Sequence, residues 1–233
     1  MNLRELKEIT LESNLELVRR RLVIYTWGNV SAIDREKGLV AIKPRGIEYS
    51  DLEVDDIPIV DLEGNLVEGR LKPSVDLDIH LEIYKAFDEV GGIAHTHSEF
   101  ATSFAQSLKP IKALGTTHAD HFCGEVPCLG YLSQEEIEHD YERCLGRQIV
   151  AYFREHGIDP LRMGAVLAGG HGPFTWGRNA AEAVEHSVIL EELAKMAFRT
   201  RLIAGRDVEI PQYMLKKHYE RKYGPSAYFY QSK

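Results

Sequence analysis

His95 and His97 stand two residues apart in Gly92-Ile93-Ala94-His95-Thr96-His97, a stretch that reads as a strand. Alternate side chains of a strand leave the same face, so both imidazoles are expected to point one way and Thr96 the other. Side by side, two imidazoles can each present a nitrogen to one metal ion at about 2.0–2.1 Å. A third donor has to come from elsewhere, and His171 is the best candidate. It occupies the turn Gly169-Gly170-His171-Gly172 directly after the apolar run Ala165-Val166-Leu167-Ala168. Asp76, at the start of a helical pattern, supplies a fourth. Three imidazoles and a carboxylate suit Zn²⁺, with Mn²⁺, Co²⁺ and Ni²⁺ as alternatives. An isolated His is more often a surface or satisfied core residue; a His-x-His pair with a glycine-flanked His shifts the balance toward metal.

Thr116-Thr117-His118-Ala119-Asp120-His121 is a second polar cluster. A carboxylate beside two histidines can transfer protons, although spacing alone better describes a polar loop closed by an Asx turn. Three further segments combine small residues with cationic or polar donors: Gly28-Asn29, Lys43-Pro44-Arg45-Gly46 and Lys72-Pro73-Ser74. Ser74 at a helix start would aim backbone N–H groups at a phosphate. Each is an ordinary turn by itself and gains meaning only if the fold brings them together.

The elements that must position these groups follow from period and caps. Leu3, Leu6, Ile9, Leu15, Val18 and Leu22 mark an amphipathic helix over the first 22 residues. Val40-Ala41-Ile42 and Ile57-Pro58-Ile59-Val60 are strand candidates, the second continuing through Gly64-Asn65 into a hairpin. Leu77, Leu81, Tyr84 and Phe87 predict a helix from Ser74 that stops at Gly91-Gly92, and Ser98 a cap for the helix after the histidine strand. Ser133 and Glu136 form a capping box for a helix through Ile137, Tyr141, Leu145 and Ile149, ended by Gly157. Asn179 and Glu182 open another, closed by Gly205. Strands and helices alternate irregularly, with hairpins early. The expectation is an α/β, layered α+β arrangement: a mixed or mainly antiparallel central sheet flanked by helices.

The 233 residues, 44% hydrophobic and 27% charged, fit one domain spanning 1–233 and exclude global disorder. No apolar run is long enough for a membrane span, and Met1 to Leu11 lacks the apolar segment of a signal peptide. Three cysteines cannot all pair within the chain, which suits the cytoplasm. Lys+Arg 28 against Asp+Glu 36 gives −8, yet residues 201–233 carry seven basic and three acidic residues, a local +4. An acidic protein without an aromatic-basic motif is not expected to bind nucleic acid; its basic tail suits a small anion or an acidic neighbouring subunit.

Taken in order, Thr26-Trp27-Gly28-Asn29-Val30-Ser31, Lys43-Pro44, Lys72-Pro73-Ser74, His95-Thr96-His97-Ser98, Gly115-Thr116-Thr117-His118-Ala119-Asp120 and His171-Gly172-Pro173-Phe174-x-Trp176-Gly177 are specific. Together with His218-Tyr219 and Ala227-Tyr228, they make the chain resemble, nearly end to end, the sugar-phosphate epimerases of the class II aldolase/adducin-like family. The resemblance implies a mainly antiparallel sheet flanked by helices and a homotetramer with active sites shared between neighbours. It implies zinc on His95, His97 and His171, with Asp76 a nearby ligand or supporting acid. It implies a substrate and phosphate pocket of Gly28, Asn29, Lys43, Gly46 and Ser74, and Asp120 as the acid/base delivered from the adjacent subunit. His218 and the basic tail would close over a neighbour's site. The implied reaction converts L-ribulose 5-phosphate to D-xylulose 5-phosphate by breaking and remaking the bond between carbons 3 and 4.

Three positions depart from the family pattern. Phe229 stands where the family has a catalytic tyrosine, leaving its neighbours Tyr228 and Tyr230 as candidates for the second acid/base. Arg45 and Val75 replace serines, and a guanidinium at position 45 can hold a phosphate or another anion. A class II aldolase acting on a ketose phosphate such as L-fuculose 1-phosphate is the alternative within the family, and an adducin-like binding module the alternative outside catalysis. Retention of three histidines and Asp120 argues against the binding module, and the long capped helices against a cupin-type oxygenase.

Overall fold

Asn2 opens the first helix, α1 (Leu3–Arg19), by accepting from the Glu5 N–H while Glu5 reaches back to the Asn2 N–H. The computed structural model describes residues 1–206, 208–225 and 227–228. After α1 come β1 (Asn29–Asp34), β2 (Leu39–Ile42), β3 (Ile59–Asp61), β4 (Leu66–Glu68), α2 (Leu77–Ala86), β5 (Gly92–His95) and α3 (Glu99–Gln106). They are followed by the single turn α4 (Thr116–Ala119), α5 (Gln134–Glu155), β6 (Ala165–Ala168), β7 (Gly172–Gly177), α6 (Ala180–Ala204) and α7 (Gln212–Tyr223). The strands form one sheet in the order β4-β3-β2-β1-β5-β7-β6, antiparallel at every junction. The expected central antiparallel sheet is what the chain builds.

Alternation along the strands divides the core between the two faces of the sheet. Val30, Ala32, Ala41, Ile59 and Ala94 pack with Leu6 and Leu17 of α1 and with Ala183 and Val184 of α6. Ile33, Val40, Ile42, Ile93, Phe174 and Trp176 lie in the other cluster, with Leu81 and Tyr84 of α2 and Ile149 and Phe153 of α5. Each fully buried apolar side chain of this size contributes about 1.5–3 kcal/mol. Two helices are capped as expected: Ser133 and Glu136 reciprocally open α5, and Asn179 accepts from the Glu182 N–H at α6, which ends on left-handed Gly205.

The central strand β1 carries no alternating apolar signal, because all six of its residues are buried whether apolar or not. Its polar side chains are buried against specific partners. Ser31 meets His80 and Tyr84 of α2, and Asn29 meets Asp76 and Ser74. The histidine strand is also shorter than expected: β5 ends at His95, and His97 lies beyond it. The same-face argument therefore does not explain why the two rings meet. The chain turns after Thr96, whose N–H donates to Pro173, and then enters α3.

β1 is held to α1 by Asn14, whose amide donates to the Val30 carbonyl at 3.0 Å and accepts from the Val30 N–H at 2.8 Å. Asn14→Ala leaves the Val30 N–H unpaired and its carbonyl with only the 3.4 Å bond from the Lys43 N–H, an expected loss of about 1–3 kcal/mol and a melting temperature lower by roughly 3–10 °C. Thermal denaturation measures this; an unchanged midpoint would reject Asn14 as the clamp.

Candidate metal centre and active site

The ends of β1 and β5 are adjacent, with Asn29 opposite His95 in the ladder. β7 flanks β5 on the other side, placing Phe174 opposite His95. The β6–β7 turn carries His171 over the same end. The fold thereby converts three distant histidines into one cluster, with ring centroids 4.6, 4.8 and 5.1 Å apart and one ligand nitrogen from each within 4.8 Å of the others. The Nε2 atoms of His95 and His97 lie 3.0 Å apart.

Each ring is oriented from behind. His95 stacks on Phe174 at 4.2 Å, and its Nδ1 donates to the Pro173 carbonyl at 3.0 Å, leaving Nε2 as the outward lone pair. His171 Nδ1 lies 3.0 Å from the Tyr141 hydroxyl. Tyr141 reaches it because α5 is kinked at Asp140, where φ −158° and ψ 65° are not helical. In the sequence Tyr141 is one more member of an apolar helical stripe, and nothing local marks its role. The segment carrying His97 is fixed by Glu191 of α6, whose buried carboxylate accepts from the N–H groups of Phe100 and Ala101 at the start of α3. Ser98 has the backbone conformation of an N-cap, but its side chain makes no capping bond.

Burial pushes the His95 pKa down to about 3 and lowers those of His97 and His171. The rings are thus neutral donors, the form a metal requires. A donor set of three neutral imidazoles converging from buried to exposed fits a divalent metal ion. Asp76, beginning α2, accepts from Asn29 at 2.7 Å and from the Ser74 hydroxyl at 3.3 Å. Burial raises its carboxyl, but electrostatic attraction to the neighbouring His95, His80 and His171 rings and the Asn29 bond outweigh this and hold it below its ordinary value. Asp76 thus acts on the histidines electrostatically; the converging nitrogens are those of His95, His97 and His171.

The expected anion-binding segments do come together here. Gly28, Asn29, Lys43, Arg45, Gly46, Ser74, Asp76, His95, His97 and His171 line one open cleft of about 460 Å³. The 43–46 and 72–75 turns are zipped by backbone bonds from Arg45 to Lys72 and from Ser74 to Lys43. Gly28 adopts φ +73°, and a Cβ there would stand 2.7 Å from the His95 carbonyl, so the close approach of this loop to the histidines requires glycine. Lys43 is used differently from the expectation. Its ammonium lies over the Tyr49 ring and donates to the carbonyls of Ile47 at 2.8 Å and of Thr26 and Pro44 at 3.4 Å. Burial lowers its pKa to about 8. Arg45 is exposed and makes no ion pair among the described residues.

Asp120 and His218 lie outside this cleft. Asp120 ends α4 and is held by α7 of the same chain: Arg221 donates to both carboxylate oxygens at 3.0 and 2.7 Å, and His218 Nδ1 lies at 3.2 Å. Burial raises the Asp120 carboxyl, but these partners outweigh it and keep the group ionised. The 116–121 segment is thus a helical turn ending in a clamped carboxylate. Arg221 was not evident in the sequence as its partner, because the two are far apart along the chain. Tyr228 is exposed, with its N–H bonded to the Arg221 carbonyl and the Lys217 ammonium above its ring. Tyr230 and Phe229 lie outside the described residues.

A seven-stranded antiparallel sheet between helices, with three converging histidines that could hold a metal ion in a cleft also lined by Lys43 and Arg45, has the α/β architecture of the class II aldolase type. The class II aldolase and adducin N-terminal domain family matches residues 9–198, and the chain belongs to this family. The L-ribulose-5-phosphate 4-epimerase UlaF of Salmonella paratyphi B (strain ATCC BAA-1250 / SPB7) is 45% identical over 227 residues, 97% of this chain and 99% of its own length. Among solved structures, an L-fuculose 1-phosphate aldolase is 27% identical with a TM-score of 0.81, covering 95% of this chain and 97% of that one. The L-fuculose-1-phosphate aldolase from Thermus thermophilus is 25% identical with a TM-score of 0.68, covering 89% and 100%.

Removing one donor by His171→Ala is expected to cost at least about tenfold in Zn²⁺ affinity, measured by competition with a chelating indicator. Three ordinary imidazoles with pKa about 6.5 would lose roughly sixfold in affinity between pH 7.5 and 6.5. Here burial lowers all three pKa values, so the loss over that interval should be smaller than sixfold. A sixfold loss would show that the rings titrate as solvent-exposed groups.

Proposed function

We propose that this chain is a zinc-dependent L-ribulose-5-phosphate 4-epimerase, interconverting that substrate and D-xylulose 5-phosphate. The observation that carries the reading is the convergence of the histidine triad, the Asn29–Asp76 pair and Arg45 on one cleft, in a chain so similar to an epimerase over its whole length. Carbon 4 of the pentulose carries no acidic hydrogen, so its configuration is inverted by breaking the bond between carbons 3 and 4. That cleavage gives the enediolate of dihydroxyacetone and glycolaldehyde phosphate; the aldehyde turns, and the same bond re-forms on its other face. A divalent ion held by His95, His97 and His171 supplies Lewis-acid stabilisation of the negative charge that develops at cleavage.

The protein's own groups supply orientation and protons. Asn29 Oδ1 is a buried acceptor without a hydrogen-bond partner among the described residues, suited to a substrate hydroxyl. Lys43 is committed to backbone carbonyls, which shapes the 43–47 turn, so the phosphate is assigned to Arg45, free at the mouth beside Gly46 and Ser74. The O4 proton must leave on one face of the aldehyde and return on the other. An ionised Asp120 takes it on one face; Tyr228 or Tyr230 serves the second, with His218 steadying Asp120.

Asp120 is outside the cleft of its own chain, which supports a homotetramer in which each site takes Asp120 from a neighbour. The end of α6 exposes Phe198, Leu202 and Ile203, an apolar surface of the kind that subunits cover. Acidity and the three free cysteines suit a single-domain cytoplasmic enzyme without nucleic-acid or membrane partners; among the described residues no helix is long and apolar enough to cross a membrane. A second reading, a class II aldolase, is favoured by Phe229, because release of the aldehyde without re-addition needs one acid/base fewer.

Incubation of L-ribulose 5-phosphate with zinc-loaded protein, followed by NMR, separates the readings. Epimerisation gives D-xylulose 5-phosphate, whereas net cleavage gives dihydroxyacetone and free glycolaldehyde phosphate. Neither product would sink both. For the shared site, Asp120→Asn and His97→Ala are each expected to be nearly inactive, but co-assembled oligomers should regain about a quarter of wild-type activity, since a site needs one intact residue from each of two chains. No recovery would place Asp120 and the triad of one chain in the same site. Arg45→Ser is expected to raise KM about tenfold with kcat within roughly twofold, the signature of lost ground-state phosphate binding.

A further inference from the structure

We infer that Trp27 is a positioning residue for the metal centre: its indole, anchored through the backbone by the buried Tyr49 hydroxyl, backs the ring of His97. The inference rests on the reading of the three histidines as metal donors, and not on the identity of the sugar.

The three donors are not held alike. His95 has the Pro173 carbonyl behind its Nδ1, and His171 has the Tyr141 hydroxyl. Among the described residues no hydrogen bond reaches His97 Nδ1; the polar contact of that ring is with His95, through Nε2. His97 also sits beyond the end of β5, outside the ladder that fixes His95. What stands against its ring, apart from the other two donors, is Trp27, with centroids 5.9 Å apart and planes inclined at 47°. That separation lies in the range over which aromatic pairs attract. Trp27 and His97 are also the two residues shared by the metal cleft and a second open cleft of about 520 Å³. The indole therefore stands on the boundary between the clefts, and truncating it would join them around His97.

A half-exposed tryptophan can brace a ligand only if its own backbone is fixed. Here three successive carbonyls are gathered by two buried side chains. The Tyr49 hydroxyl is shared between the carbonyls of Trp27 and Gly28, at 3.0 Å from each. The Lys43 ammonium, lying over the Tyr49 ring, donates to the Thr26 carbonyl at 3.4 Å. Tyr49 and Lys43 are both buried, so water competes little for these bonds. The Trp27 N–H donates to the Ile24 carbonyl at 3.1 Å and closes the preceding turn. Gly28 abuts the His95 carbonyl and the Val23 side chain so closely that a Cβ would clash with both. The backbone at 26–28 is clamped, and the indole it carries has a defined place against His97.

The chain has two tryptophans, so ¹H–¹⁵N NMR shows two indole N–H signals. Zinc is expected to shift that of Trp27 and to leave in place that of Trp176, which is buried and bonded to the Pro160 carbonyl. A Trp27 signal that ignores zinc would overturn the proposal. Trp27→Ala is expected to weaken zinc binding about threefold to tenfold, measured by competition with a chelating indicator. Trp27→Phe, which keeps an aromatic face, should recover most of that loss. Equal losses in the two variants, or none in Trp27→Ala, would reject the ring contact as the cause. Combined with His97→Ala, Trp27→Ala should add less than about twofold, because it acts through the donor already removed; additive losses would place its effect elsewhere. Tyr49→Phe keeps the ring over Lys43 but frees both carbonyls. It should move the Trp27 signal before zinc is added and weaken zinc binding about threefold; an unmoved signal would reject Tyr49 as the anchor. Wild-type protein that takes up no zinc would sink the metal reading and this inference together, whereas zinc binding indifferent to Trp27 would sink the inference alone. None of these measurements depends on epimerase turnover.

Discussion

Three neutral imidazoles turned toward one another are an arrangement that a chain must hold against a cost. Their metal-facing nitrogens crowd together: the Nε2 atoms of His95 and His97 lie 3.0 Å apart, two basic nitrogens sharing a single proton. No hydrophobic gain rewards that convergence. It is imposed by the backbone around it: the β1–β5–β7 ladder, the Pro173 carbonyl behind His95 and the Tyr141 hydroxyl behind His171. A rigid scaffold that keeps lone pairs facing inward is preorganised for a cation, and much of the fold serves that constraint.

Polar burial in the sheet follows from the same demand. β1 is central and wholly buried, yet it contains Asn29 and Ser31 where a strand built for stability would carry valine or isoleucine. Each is paired with a group on α2, Asn29 with Asp76 and Ser31 with His80 and Tyr84. Satisfied buried polar groups contribute little net stability, but they are demanding about geometry. The helix carrying Asp76 is thereby registered against the strand ending beside His95, and packing of apolar side chains alone would tolerate more sliding.

Lys43, Arg45 and Asp120 are divided by a similar logic. Lys43 and Arg45 are two residues apart, but one ammonium is folded under its own turn against three carbonyls and the Tyr49 ring, while the guanidinium stands free at the cleft. The buried cation shapes the loop and the exposed one is left to meet an anion. Asp120 is likewise held by a fork of two bonds from Arg221, a geometry that keeps a carboxylate charged and oriented.

Much of this could be read along the chain wherever a few neighbouring residues carry the instruction. The capping box at Ser133, the hairpin at Gly64-Asn65 and the turn that presents His171 are set by local sterics and local hydrogen bonds, so residue type and spacing suffice. The metal donors and the anion-binding turns were legible for the same reason. What only the tertiary structure decided depends on pairings between distant segments. It turned the chain after His95 so that His97 meets His171 without sharing a strand with His95. It aimed Tyr141 from a kink, recruited Glu191 to fix α3, caged Lys43, and set Asp120 with its α7 clamp apart from the histidines. Those outcomes follow from collective burial and strand register, which no short stretch of sequence specifies, because each partner's position exists only once the sheet has formed.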